Sequence, residues 1–463
     1  MDFVLPAIVA TVALSSLLLT SRANDNSTFF NGLSINGSPP GLLLLTLSQV
    51  TTWIFARSLM NAAILGYYYG IWGTLAYAAY YLSFLTGGMI IDSLRFKQGY
   101  DSIQAFLQAR FGAWGAGCYN VVVGLRLLSE VFANLLVIGI LFGVTGSQSY
   151  ALSVIGLALV TLLYSMIGGL HASLRTDLLQ MLLFIGILLL LILSALVSGH
   201  LTLDALTFKP FEIDQPGPIL MAVALLQIWS YPMHDPVMMD RGFLSDRETT
   251  RRSFLHAAWI SILCIILFGS LGVLAGANAM AGDTMNQVLS RLLGEIPMLL
   301  FSAALVISAM STLDSTLSSA SRLAVVNMRV IEPTLRNGRI TMALFMLLGL
   351  LLVFAGNKDL FSAVAVSGTA SMYLAPVVFF SLWGGRENIP LWSYLATFVL
   401  AITGAALYFT ESANHTQWLG DMHKYTKLLY ISISVLGIGC LLFWVGDLLA
   451  NRRRSPVASA VRP

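Results

Sequence analysis

Long apolar stretches separated by short polar connections run through almost the whole chain. A helix needs about 20 mainly apolar residues to cross the roughly 30 Å of hydrocarbon in a bilayer. Thirteen stretches meet or approach that length, at approximately 3–20, 41–70, 72–91, 113–142, 149–168, 175–198, 217–240, 254–279, 297–326, 339–355, 360–383, 390–410 and 425–448. The pattern predicts an all-α integral membrane protein of about 13 transmembrane helices. The first stretch is preceded by Asp2 and by no Lys or Arg, and it outlasts the apolar core of a signal peptide, so it reads as a retained helix. Between the third and fourth stretches, Ile103, Phe106, Leu107 and Phe111 recur at helical spacing among charges. That spacing predicts an amphipathic segment lying on the membrane surface.

Two stretches carry interruptions. The second mixes Thr46, Ser48, Gln49, Thr51, Thr52, Arg57, Ser58 and Asn61 into a segment that must still cross, and the seventh reads QIWSYPMHDPVMMDR, with Pro232 and Pro236 each removing a backbone donor. Carriers often bind their cargo where interrupted helices of two related halves expose carbonyls and helix ends at mid-membrane. Counting from the two interruptions divides the chain into 1–40, an extra N-terminal helix and loop; 41–198 and 217–383, two five-helix blocks; and 390–463, two C-terminal helices with a basic tail. An odd number of helices per block inserts the second upside down relative to the first. The expected core is thus a five-plus-five inverted repeat.

Composition narrows the function. Hydrophobic residues make up 57% of the 463 and charged residues 10%, against about 25% charge in soluble domains. A soluble enzyme or binding module is excluded, and a formal net charge of +3 spread over so long a chain offers no nucleic-acid surface. Cys118, Cys264 and Cys440 stand far apart in apolar surroundings without His companions, which argues against disulfide and zinc frameworks. With no HExxH, GxSxG or glycine-rich phosphate loop, the chain reads as a non-enzyme that moves solutes. With the N-terminus outside, eighteen Lys and Arg fall in cytoplasmic segments and only Lys209, Arg291, Lys358, Lys424 and Lys427 in outer ones. The positive-inside bias therefore predicts an N-out, C-in protein of the plasma (cytoplasmic) membrane.

Candidate chemistry sits in three places. Ser308, Ser311, Thr312, Ser315 and Ser319 fall at i, i+3, i+4, i+7 and i+11 of the ninth span, a hydroxyl stripe that by itself reads first as close helix packing and second as ligands for a hard monovalent cation. Arg57, Arg126 and Glu130 lie near the middles of their spans, where an ionisable side chain costs about 2.5–3.5 kcal/mol and needs compensation. Arg126 and Glu130 are spaced i, i+4 and predict a pair. Arg57 then either binds an anionic group of the substrate or joins a network bridged by Glu130. Ser58, Gln227, Trp229, Ser230 and His234 flank the two interruptions and complete the substrate candidates, with His234 a possible proton-linked group.

Three motifs carry a resemblance to the solute:sodium symporter family. YSMIGGLHASLRTDLLQ is similar to the family pattern through Tyr164, Gly168, Gly169, Ala172, Thr176, Asp177 and Gln180. AMSTLDS resembles the family's segment in the eighth core helix, and GYYYGIWG with DSIQAFLQARFG resembles its loop before the third. The resemblance implies a LeuT-like core and a sodium ion held by the carbonyls of Thr51, Ile54 and Ser308 and the hydroxyls of Ser311 and Thr312. It also implies an ion-path role for Asp177, which as a residue near a helix start reads equally as an N-cap. Trp53 and Phe55 stand where sugar and proline carriers of the family place polar groups, so neither substrate is expected. The run SYPMHDPVMMDRGFLSDRETTRR resembles a urea-transporter-like branch, which points to a urea-like amide where Arg57 points to a carboxylate. The expected function is sodium-coupled symport of a small polar or anionic organic solute by alternating access. The alternatives are proton coupling, with a urea-like or carboxylate solute, and a transporter-like sensor acting through a separate partner.

Overall fold

The computed structural model describes residues 4–355 and 368–454, and every regular element in it is helical. The N-terminal helix α1 (Val4–Leu19) is followed by α2 (Leu42–Trp53) and α3 (Ala56–Ala79), and then by α4 (Ser83–Ile91). Next come α5 (Ile103–Phe142), α6 (Gln148–Val197), α7 (Pro216–Gln227), α8 (Tyr231–His234), α9 (Pro236–Arg241) and α10 (Arg247–Ala277). The chain continues through α11 (Glu295–Arg322), α12 (Leu335–Ala355), α13 (Gly368–Trp383), α14 (Leu391–Ser412) and α15 (Lys424–Arg454). Among the described residues eight helical segments are long and apolar enough to cross a membrane, and exposed Leu and Ile on α6, α12 and α15 give them the outward apolar face that lipid requires.

Glycines with positive φ turn three of the long helices. Gly70 (φ 66°) bends α3, Gly112 (φ 65°) bends α5 and Gly169 (φ 58°) bends α6, each separating two stretches that the hydropathy pattern counts apart. A left-handed backbone is open to Gly at little cost. The sixth stretch accordingly begins directly after Gly169, five residues ahead of its expected start. Asp177 therefore lies well inside α6, which removes the N-cap reading. The stretch expected at 360–383 is described only from Gly368, and residues 455–463 of the basic tail also lie outside the described residues.

The surface-lying segment is corrected. Ile103, Phe106, Leu107 and Phe111 are 0–4% exposed. Phe111 stacks on Tyr394 at 4.5 Å, and Phe106 packs edge-on to Tyr100. Protein therefore covers the apolar face that the sequence alone assigned to lipid, with Phe111 lying against Tyr394 of α14 and Phe443 of α15.

Charge separates the two ends. Around Tyr67–Tyr69 gather Lys209, bonded to the Tyr68 carbonyl, the Asp283–Arg291 pair beneath Tyr67, and His423 against Tyr69. The other end holds Arg247–Asp92, and Arg95 clamping the carbonyls of Gly242 and Ser245 at 2.8 and 2.6 Å.

α3 and α10 meet backbone to backbone through glycines. A Cβ added at Gly272 would lie 1.9 Å from the Ala63 carbonyl oxygen, one at Gly276 2.3 Å from that of Tyr67, and one at Gly66 2.6 Å from that of Gly269. Gly272 and Gly276 have the small-xxx-small spacing that brings membrane helices into backbone contact. Gly272→Val must push α3 away from α10. The expected outcome is loss of the monodisperse folded protein, or destabilisation by at least about 3 kcal/mol in a thermal or denaturant melt.

Candidate functional site

The two interrupted helices meet at their breaks. α2 ends at Trp53; Ile54 (φ −83°, ψ 78°) and the extended Phe55 leave the helix, and α3 resumes at Ala56. In the second break α7 stops at Gln227, three residues turn irregularly, and extended Asp235 separates α8 from α9. Pro232 and Pro236 occupy the first turns of α8 and α9, where a missing N–H costs nothing. The second interruption thus begins four residues ahead of Pro232. The Trp53 indole N–H donates to Asp235 Oδ2 at 2.9 Å, and its ring packs edge-on to Tyr231 at 5.1 Å. The Trp53 carbonyl, exposed by the end of α2, accepts the Tyr81 hydroxyl at 2.7 Å.

The hydroxyl stripe of α11 faces this junction. Ser308 Oγ donates to the Ile54 carbonyl at 2.5 Å, and Thr312 Oγ1 lies 3.2 Å from the Thr51 carbonyl and 3.0 Å from that of Ser308. Thr51 and Ile54 from the end of α2 and Ser308 and Thr312 from α11 are therefore assembled into one cluster of oxygens, all 0–3% exposed. Carbonyls at a helix end lack an intrahelical donor and need an outside partner. Hydroxyl and carbonyl oxygens are also the donors that hard cations take. Ser311 departs from the expected set: its hydroxyl donates to Asp177 Oδ1 at 2.6 Å.

Asp177 is the hub of a second, fully buried cluster. It accepts from Ser48 at 2.6 Å and Ser315 at 3.2 Å, and Arg241 Nη2 stands at 3.5 Å. Ser315 also contacts Ser173 at 3.0 Å, and Ser173 and Thr176 donate to Asp314 at 2.9 and 2.8 Å. A chain of hydroxyls so links Asp177 to Asp314, with Arg241 anchored on Ser315 (2.6 Å) and the Val237 carbonyl (3.0 Å). The stripe on α11 thus grips α2, α6 and α9 through hydrogen bonds rather than serving close packing alone.

The mid-membrane charges are unequally shared. Arg126 Nη1 stands 3.3 Å from Glu130, as the spacing predicts, and Arg126 Nη2 bonds Asp235 at 2.9 Å, a partner the spacing does not reveal. Arg57 is 0% exposed, and none of its three guanidinium nitrogens has a hydrogen-bond partner among the described residues. The Phe55 ring lies 5.0 Å from its guanidinium carbon. No ion pair joins Arg57 to Glu130 among the described residues, so the network in which Glu130 bridges both arginines is not formed.

Of the remaining candidates, Ser58 accepts from the Tyr77 hydroxyl at 3.2 Å. Gln227 accepts from Tyr80 at 3.1 Å, and Ser230 bonds the Gln227 carbonyl at 3.2 Å. His234 is 1% exposed, its ring 6.1 Å from that of Tyr231. Trp229 is turned elsewhere: it packs on Phe379 and Trp383 at 5.8 and 6.2 Å, which takes it out of the set around Arg57. A cavity of about 20 Å³ lies at the breaks, lined by Trp53, Phe55, Ser58, Tyr80 and Arg126 among others, enough for about one water. A larger recess of about 320 Å³ lies nearer the Tyr67–Tyr69 end and reaches Asn61, one helical turn beyond Arg57.

Asp235, Arg241, Asp314 and Ser48 stand among the motifs quoted above without being singled out. The signal that finds them is cost: each charge in an otherwise apolar helix must meet a partner. No group of three or more His, Cys, Asp or Glu suited to a metal is present among the described residues.

The unequal sharing makes opposite predictions for neighbouring arginines. Arg126→Met strands Glu130 and Asp235 and should lower stability by about 3–5 kcal/mol. Arg57→Met removes a buried charge with no bound counter-charge, so its thermal midpoint in solute-free detergent should rise rather than fall. Thermal melts of the two variants beside Glu130→Gln check both.

No protein-family model matches the sequence, and no curated protein matches it. Solved structures do. A Na+-coupled sialic acid symporter in a substrate-bound outward-open state superposes with a TM-score of 0.74 at 15% identity, over 96% of this chain and 98% of that one. A nucleobase-cation-symport-1 family transporter, closed with bromovinylhydantoin bound, gives 0.61 at 14% identity, over 93% and 97%. A manganese transporter of Eremococcus coleocola gives 0.54 at 12%, over 89% and 95%. At these identities the likeness is one of fold: the chain shares the all-α architecture of these three transporters over most of its length.

Proposed function

We propose that this protein is a sodium-coupled symporter of a small polar or anionic organic solute, working by alternating access in the cytoplasmic membrane with its N-terminus outside and C-terminus inside. The observation that carries the reading is the convergence of Ser308 and Thr312 on the carbonyls that the end of α2 leaves at Thr51 and Ile54. These oxygens, with Ser311 Oγ one turn along α11, are the set that would hold sodium. Without the ion the hydroxyls satisfy the carbonyls themselves, which keeps the broken ends from standing unsolvated in hydrocarbon. Ser311 belongs to both clusters: it neighbours Thr312 and already donates to Asp177. On this reading Asp177 receives the cation on its way toward the end of the molecule that Arg241 occupies, a role supported by its contact with Ser311.

On the solute side, the DPVMMDR run is used internally. Asp235 serves Trp53, Arg126 and the Met238 N–H, Asp240 faces Arg322 at 3.7 Å, and Arg241 serves the Asp177 cluster. Arg57 remains the strong donor at the breaks without a partner, which favours a carboxylate over a urea-like amide. A planar guanidinium presents the paired donors that a carboxylate accepts. The 20 Å³ cavity requires the Trp53, Tyr80 and Tyr231 rings to move apart before an organic solute can enter. In such folds that motion accompanies the rocking of a helix bundle containing both interrupted helices against the rest.

One observation favours a second reading. Asp177 and Asp314 are two buried carboxylates on one hydroxyl chain beside a single guanidinium, an arrangement that could carry a proton in place of sodium.

Thermal melts of purified protein in choline chloride decide between the couplings. Added sodium, unlike potassium, should raise the midpoint saturably, following RT ln(1 + [L]/Kd), and the rise should vanish in Ser308→Ala with Thr312→Ala. A midpoint indifferent to sodium but sensitive to pH, and to Asp314→Asn, would turn the assignment to protons. In vesicles, Arg57→Lys should cut uptake by at least about tenfold while leaving the sodium shift intact, because a point charge cannot replace bidentate donors.

A further inference from the structure

A groove of about 960 Å³ opens between α4, the first turns of α10 and Trp383 at the end of α13. It has two zones. Its apolar walls include Leu85, Met89 and Leu255, which are 39%, 47% and 52% exposed, over a floor formed by buried Phe84 and Phe254. Gly88 deepens the groove, because a Cβ there would stand 3.1 Å from Phe254 Cβ.

The polar zone is a rim of Lys97, Arg247 and Arg251 at one end. Asp92 is a single carboxylate serving two of these cations, with Arg247 at 2.6 and 3.0 Å and Lys97 at 3.3 Å. Glu248, the other rim carboxylate, is taken by Arg252 at 2.6 Å. Arg251 forms no ion pair among the described residues. The rim therefore carries excess positive charge directly beside exposed apolar walls, at the end of the molecule with the most arginine.

We propose that this groove is a binding site for one anionic phospholipid, its phosphodiester on the Arg251–Lys97 rim and its acyl chains along Leu85, Met89 and Leu255. A ligand that meets both zones must be amphiphilic, and one that neutralises the rim must bear net negative charge. A zwitterionic choline headgroup would bring a second cation to a surface already short of anions. An uncharged-head phosphodiester such as phosphatidylglycerol meets both conditions, in the manner of basic pockets between membrane helices. The occupant ties α4 to α10 beside the Gly242–Ser245 connection that Arg95 clamps, one step from broken helix α9. The lipid thereby stiffens the inner hinge of the second interrupted helix.

Trp383 in the groove wall supplies the readout. The full chain is reconstituted in phosphatidylcholine containing a fixed fraction of dibrominated lipid, either phosphatidylglycerol or phosphatidylcholine, and tryptophan fluorescence is followed. Bromine quenches indoles in contact with the labelled chains, and Trp383→Phe subtracts the other eight tryptophans. The expected result is stronger Trp383 quenching by brominated phosphatidylglycerol, with an apparent affinity that falls about fivefold in Arg251→Gln and further when Lys97→Gln is added. Both side chains are exposed, so these variants leave the buried structure untouched. Equal quenching of Trp383 by the two lipids marks ordinary annular contact and overturns the proposal, as does a preference unchanged by Arg251→Gln. The measurement needs neither sodium nor solute, so it stands or falls independently of the transport reading.

Discussion

Asp235 joins the two interrupted helices, and the rest of the site hangs on that joint. Its carboxylate accepts the Trp53 indole from one break, the Arg126 guanidinium from α5 and the Met238 amide at the start of α9. Inside hydrocarbon a broken helix exposes N–H and C=O groups that water cannot reach, and each unsatisfied group costs several kcal/mol. An extended residue in the middle of a span is tolerable only where neighbouring elements answer those groups. Asp235 does so for the second break, while Tyr81, Ser308 and Thr312 do so for the first.

The same need for satisfaction explains why polar chemistry concentrates on one face of α11. A helix carrying five hydroxyls at helical spacing would gain little from lipid, yet each of Ser308, Ser311, Thr312 and Ser315 reaches an acceptor on a different segment. These bonds are exchangeable, because a hydroxyl can turn from donating to a carbonyl to ligating a cation without moving its helix. A junction built from hydroxyls and helix-end carbonyls can therefore hold together with or without an ion. Backbone contact through Gly66, Gly272 and Gly276 gives the opposite behaviour, since α3 and α10 have no slack between them and must move as one body.

Charge in the membrane interior is distributed as function would require. Among the described residues, Arg126, Arg241 and Arg322 each stand against a carboxylate, and Arg57 does not. A buried, unpaired guanidinium is costly to the resting protein, and the cost is recovered only when a negative group arrives. Under the proposed function, the arrival of a negative group at Arg57 would relieve what the empty site leaves open.

Several features were legible along the chain because they depend on local order. Apolar run length determined the helical, membrane-spanning class; the polar interruption around Thr51–Ser58 located the first break; and i, i+4 spacing anticipated the Arg126–Glu130 contact. The hydroxyl stripe was legible for the same reason, since helical periodicity alone puts Ser308, Thr312 and Ser315 on one face. What each of those groups meets was decided by tertiary structure. Asp235 lies 182 residues from Trp53, and Ser308 lies 254 from Ile54, separations over which no periodicity speaks. Hydropathy could not say whether Phe106 and Phe111 face lipid or protein, because both environments are apolar and only tertiary packing, of Phe106 on Tyr100 and of Phe111 on α14 and α15, distinguishes them. Nor could spacing show that Glu130 leaves Arg57 alone, because that depends on how α3 and α5 are turned toward each other. Sequence by itself determined which groups must be buried, and the three-dimensional arrangement determined which of them go unanswered.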